Sequence, residues 1–115
     1  DAAEGSKSAL LSNRVARAFR RYTSLTAEAY TEETSTDSYR FYQGGIPTVT
    51  IIEELDEDGW PVNTYYHGSN DYYLNSGGEP QQYDGSNYID LAYMQQNVRG
   101  VVAWAAGKAK LLGER

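Results

Sequence analysis

An α+β fold is predicted by three features of the chain. Apolar residues recur at spacings of three and four near both ends, β-branched and aromatic runs fill the middle, and an Asp-Glu-Asp-Gly turn joins two of those runs. The expected order is a long N-terminal helix over about 5–31, an antiparallel meander of three or four strands over about 38–43, 48–55, 60–67 and 71–74, an irregular loop, and a long C-terminal helix over about 87–112. Both helices are expected to pack on one sheet face.

The first helix rests on Leu11, Val15, Ala18, Phe19, Tyr22, Leu25 and Ala29, which form one stripe at helical spacing. Ser6 or Ser8 supplies an N-cap, and no Gly or Pro interrupts the segment as far as Thr34. Arg14, Arg17 and Arg21 make a basic face beside the apolar stripe, with Arg20 off it.

The segment 38–43 carries Tyr39, Phe41 and Tyr42 and ends at Gly44-Gly45, which reads as a first strand closed by a tight turn. The 48–55 and 60–67 runs flank Asp56-Glu57-Asp58-Gly59, where Gly59 can supply the positive φ that a hairpin turn requires. Pro61 sits beside that turn, where a missing backbone donor is tolerated. Residues 68–87 are rich in Gly, Ser, Asn, Asp and Gln and read as loop, with Tyr72-Tyr73-Leu74 as a short strand.

For the closing helix, Ser86 or Asn87 is the expected N-cap, with Asp90 in the first turn and Gly113 at the C-terminal cap. Leu91, Met94, Val98, Val101, Val102, Ala105, Ala109 and Leu112 mark its expected buried stripe. Small residues at Gly100, Ala103, Ala106 and Gly107 instead leave room for a close helix contact.

Length and composition narrow the function classes. At 115 residues the whole chain, 1–115, is expected to be one domain, burying roughly 65% of the surface that its unfolded form exposes. With no cysteine it has no disulfide framework, thiol nucleophile or sulfur-ligated zinc. No run of 18 or more apolar residues occurs, so no membrane insertion is expected. The sequence begins at Asp1 without an initiator Met, which fits N-terminal processing, export included, or excision from a longer chain; the compartment stays open.

The net charge of −6 is unevenly distributed. Residues 1–40 carry six basic and six acidic side chains, 41–98 carry nine acidic and none basic, and 99–115 carry four basic and one acidic. An acidic middle repels phosphate backbones, so no nucleic-acid partner is expected. The basic helices are expected to pair with the acidic segment, within one subunit or between two.

Five carboxylates crowd Glu53 to Asp58, but Gly59 directly follows Asp58 and the calcium-loop register fails. Asp56 and Asp58 remain weak metal candidates beside the plainer reading of a solvated turn. His67 is the only histidine, so a hydrolase built on it with a carboxylate is the least supported reading, and no cofactor motif is present. Tyrosine is in surplus, eleven residues, which suits surfaces wet when alone and buried when bound. Trp60, Tyr65, Tyr66, Tyr72 and Tyr73 are therefore the expected interaction surface. The function expected is a non-enzymatic interaction or assembly subunit that meets a protein partner or its own copies. The alternative is a binding module for a glycan or other small ligand, stacked on Trp60, Tyr65, Tyr72 and Tyr73.

Overall fold

The computed structural model describes residues 6–30, 36–53 and 55–110. The expectations that fall on Gly5, Thr31, Glu54, Leu112 and Gly113 lie outside them. The described elements are helix α1 (Lys7–Tyr22), helix α2 (Ser38–Gln43), strands β1 (Gln82–Tyr83) and β2 (Ser86–Asn87), and helix α3 (Leu91–Lys108). The fold is thus mixed helix and sheet, with long helices near both ends. Among the described residues, however, its sheet has two strands, and the expected meander of three or four is not confirmed.

Two compact units divide the chain, Asp1–Ile51 with Gln95–Arg115, and Ile52–Met94. In the first unit, Ser6 caps α1 by accepting a hydrogen bond from the Ala9 N–H at 3.1 Å, while Arg20 and Arg21 complement the dipole in its last turn. The helix stops at Tyr22, well short of 31. The Thr23 hydroxyl donates to the Phe19 carbonyl at 2.7 Å and accepts from the Leu25 N–H at 3.1 Å. A β-branched hydroxyl residue thus takes over the backbone groups that would have carried the helix onward.

The segment expected as the first strand is instead the short helix α2. Tyr39 and Tyr42 stack with centroids 6.2 Å apart, the i, i+3 pairing that a helix brings together and a strand does not. Gly44-Gly45 closes it as a Schellman cap. The Gly45 N–H donates to the Tyr42 carbonyl at 2.9 Å, the Ile46 N–H donates to the Phe41 carbonyl at 3.0 Å, and Gly45 has φ 79°. Residues 46–53 then run without a ladder. Their anchors are the Thr48 N–H, which donates to the buried Ser8 hydroxyl at 3.1 Å, and a hydroxyl cluster of Thr36, Ser38 and Thr50.

Among the described residues of this unit, those buried are Ser8, Ala9, Val15, Ala16 and Phe19 on α1 and Gly100 on α3. Phe19 is 4% exposed, and its ring lies so close to Gly100 that an added Cβ there would sit 2.7 Å from it. The absence of a side chain at Gly100 is what lets the aromatic ring lie against the α3 backbone. The expected buried stripe of α3 is therefore corrected: Leu91, Met94, Val98, Val101, Val102, Ala105 and Ala109 are exposed. The face turned inward carries Gly100 with the half-buried Gln96, Ala103 and Gly107. At 100° per residue these two faces lie almost opposite each other.

In the second unit, none of the described residues is buried. The expected strands 48–55, 60–67 and 71–74 reduce to isolated bridges, Leu55 with Pro61 and Leu74 with Pro80. These bridges close two equivalent turns, Leu55-Asp56-Glu57-Asp58-Gly59-Trp60-Pro61 and Leu74-Asn75-Ser76-Gly77-Gly78-Glu79-Pro80. In the first turn the Asp56 N–H donates to the Trp60 carbonyl at 2.7 Å, and in the second the Asn75 N–H donates to the Glu79 carbonyl at 2.8 Å. Asp56 Oδ1 accepts from the N–H groups of Asp58 and Trp60, and Asn75 Oδ1 accepts from those of Gly77 and Glu79. Gly59 has φ 82° and Gly78 φ 78°. The expected turn at Gly59 is present, therefore, and it occurs twice.

The one ladder among the described residues pairs Gln82 with Asn87 and Tyr83 with Ser86. Asp84 (φ 50°) and Gly85 (φ 79°) form the two-residue loop, both in the left-handed region as a type I′ turn demands. This hairpin consumes Ser86 and Asn87, the expected caps of the last helix. Asp90 takes over: its Oδ1 accepts from the Ala92 N–H at 2.9 Å and the Tyr93 N–H at 3.0 Å, and α3 starts at Leu91.

Candidate functional site

In the second unit three rings and two carboxylates gather around Asn63: those of Tyr65, Tyr83 and Tyr88, with Glu53 and Asp71. Tyr65 meets Tyr83 edge-on at 4.9 Å between centroids and Tyr88 at 5.1 Å, while Tyr83 and Tyr88 are 6.2 Å apart. These separations fall in the favourable range for tilted and edge-to-face aromatic pairs. Backbone turns deliver the rings. The Asn63 side chain accepts from the Tyr65 N–H at 2.9 Å, and the hairpin at Asp84-Gly85 sets Tyr83 and then Tyr88.

A chain of polar contacts runs through the cluster. The Asn63 amide donates to the Glu53 carboxylate and to the Tyr88 hydroxyl, both at 3.0 Å, and the Tyr88 hydroxyl donates to Asp71 Oδ1 at 2.7 Å. The second Asp71 oxygen accepts from the His67 N–H at 2.9 Å. The Tyr88 hydrogen bond, then that of the His67 backbone, holds the Asp71 carboxyl below its ordinary value. Partial burial of the half-buried Tyr88, followed by the bond to Asp71, pushes its phenol up. The Tyr88 hydroxyl is thus satisfied on both sides, accepting from the Asn63 amide and donating to Asp71.

The five residues of the expected interaction surface are split by the structure. Tyr65 is drawn into the aromatic cluster. Trp60, 69% exposed, and Tyr66, Tyr72 and Tyr73 stand open to solvent. Tyr66 lies 4.1 Å from the His67 ring, and His67 holds φ 55°. Tyr83 and Tyr88 were not among the expected site residues, although the Asp84-Gly85 pair between them is the strongest short hairpin signal a sequence carries.

On the basic face, Arg14, Arg17 and Arg21 are exposed, and the Arg21 guanidinium lies over the Tyr22 ring at 5.4 Å. Arg20 donates to the Ala27 carbonyl. Of the weak metal candidates, Asp56 spends an oxygen on its own turn, as does Asn75 at the equivalent place. Among the described residues no three His, Asp or Glu side chains are grouped as a metal would require. A recess of ≈ 160 Å³ is lined by Ser6, Ser8, Tyr42 and Ile46, smaller than the pockets that enclose drug-sized ligands. No described helix is long and apolar enough to cross a membrane. No family model, curated protein or solved structure matches the chain.

Proposed function

We propose that this chain is a non-enzymatic assembly subunit, one that completes the burial of its apolar surface against a protein partner or its own copies. The observation that carries the reading is the balance of buried and exposed carbon. Among the described residues four hydrophobic side chains are buried, while eighteen large ones are exposed, from Leu10 to Val102. Exposed apolar residues scattered singly are ordinary; runs such as Tyr72-Tyr73-Leu74 and a whole face of α3 are the mark of an interaction surface.

Charge supplies the second support. The unit of 52–94 carries nine acidic and no basic residues, and the unit of 1–51 with 95–115 carries ten basic and seven acidic. Surfaces of opposite sign within one chain favour contacts between the unlike surfaces of neighbouring copies. Light scattering at rising protein concentration tests the reading. A mass that grows with concentration at low salt and shrinks as salt screens the charges is expected. A particle that stays monomeric at millimolar concentration in low salt, and in extract from its source, overturns it.

A further inference from the structure

Resting on that reading, we infer that α3 pairs antiparallel with α3 of a second copy, through the face that carries Leu91, Met94, Val98, Val101, Val102 and Ala105. The opposite face of the helix is already occupied, since Gly100 is closed by Phe19 and the Gln96 side chain accepts from the Ser24 N–H at 3.3 Å. The large residues are left outward, with Leu91 60% and Val98 61% exposed.

Their spacing is specific. Positions 91, 94, 98, 101 and 105 alternate steps of three and four, the a and d seam of a heptad pattern, over a length of about 21 Å. A seam of this kind is self-complementary and fits a two-fold interface, in which one patch serves both copies. No polar side chain interrupts it between Leu91 and Ala105.

Direction follows from size and charge. In an antiparallel pair with a facing d, Val98 of one copy lies against Val101 of the other, and Met94, the bulkiest of the inner positions, meets Ala105, the smallest. The next layer sets Leu91 beside the stem of Lys108, whose ammonium then comes alongside Asp90, the cap at the start of the other helix. Asp90 and the cation of Lys108 thus complement each other at both ends of the pair, and the opposed macrodipoles add to the preference. A parallel pair would instead set Lys108 beside Lys108 and Asp90 beside Asp90. The exposed seam amounts to on the order of 400 Å² per copy, the size of the largest apolar patch on a typical monomer and about half of one side of a standard interface. The pairing is therefore weak and concentration-dependent.

Because the chain has no cysteine, single-cysteine variants of the full chain report the geometry without background. Met94→Cys and Ala105→Cys are each treated with a short thiol cross-linker, alone and mixed. A cross-linked dimer from the mixture, in large excess over either variant alone, is expected, and Leu91→Cys alone should link hardly at all. Efficient self-linking of Leu91→Cys would overturn the antiparallel direction. A mass that still grows with concentration, while the Met94→Cys and Ala105→Cys mixture fails to link, would overturn the α3 pairing and leave the assembly reading standing. A chain that is monomeric throughout would overturn both. Val98→Glu, on an exposed position, should abolish the linked dimer while leaving far-UV ellipticity unchanged.

Discussion

In the unit of 1–51 with 95–115, order comes from buried carbon: Phe19 is closed over Gly100, and Ala9, Val15 and Ala16 fill in around it. In the unit of 52–94 none of the described residues is buried, and order comes from side-chain oxygens that accept backbone N–H groups, at Asp56, Asn63, Asp71, Asn75 and Asp90. The contrast teaches that an acidic, Asn-rich composition need not signal a metal or catalytic site. In this chain much of it is turn chemistry, with carboxylates and amides standing in for the ladder that the backbone does not make.

The largest expected effect is the loss of the aromatic ring at the helix contact. Phe19→Ala should cost about 3–5 kcal/mol, the range for deleting a buried phenyl, and it should be read as a lowered midpoint in thermal or urea unfolding followed by far-UV ellipticity. Next comes Gly100→Ala. Helix propensity alone would stabilise α3 by about 1 kcal/mol. The new methyl group meets the Phe19 ring at 2.7 Å, however, so overpacking of about 1–3 kcal/mol should reverse the sign. A stabilised Gly100→Ala variant would show that the two helices do not meet there.

The turns of the other unit should respond to a different change. Added Cβ atoms at Gly59 and Gly78 meet nothing within 4 Å, so only the positive φ resists substitution, and Gly59→Ala and Gly78→Ala should each cost about 1–2 kcal/mol locally. Amide hydrogen exchange at Trp60 and Glu79, whose N–H groups bond to Asp56 and Asn75, checks this, and similar acceleration in both turns is expected because the two are built alike.

The smallest effect is a change in titration. Asp71 is depressed, so its contribution is complete above the unfolded value of 3.8 and is lost as pH falls through the lower folded value. Tyr88 is raised, so its contribution is complete below 10.0 and is lost as pH rises through the higher folded value. Tyr88→Phe removes the first cause of the Asp71 shift. The carboxyl midpoint of Asp71, followed by carbon NMR, should therefore move up toward its ordinary value; an unmoved midpoint would show that the Tyr88 bond does not form.

The sequence showed part of this and hid part for identifiable reasons. The helices near both ends were legible from spacing, and the turn at Gly59 from its residues. The end of α1 was not, because Leu25 and Ala29 continue the apolar period after Thr23 has already turned the chain. Helix α2 was hidden because its six aromatic and polar residues suit a strand equally well, although Gly44-Gly45 also fits a helix cap. The twin turns share the pattern Leu-Asp/Asn-x-x-Gly-x-Pro, nineteen residues apart, and a search for internal repeats would have paired them. For α3 the large stripe was preferred as the inward face because large side chains outrank small ones in any hydrophobic pattern, whereas the close contact that forms is the one left open by the small residues, at Gly100. At the candidate site Trp60, Tyr66, Tyr72 and Tyr73 were legible as open aromatics. Tyr65 was not legible as a cluster member, because its partners come from a hairpin twenty residues on.

The face of α3 that α1 closes decides both the core of the first unit and the seam left outward. The most direct test of this is the NMR signal of the Gly100 α-protons. Strong nuclear Overhauser contacts to the Phe19 ring, with a marked upfield ring-current shift and with Val98 and Val102 free of contacts to Phe19 in dilute protein, are the predicted result. Contacts from Phe19 to Val98, Val101 or Val102 with none to Gly100 would contradict it.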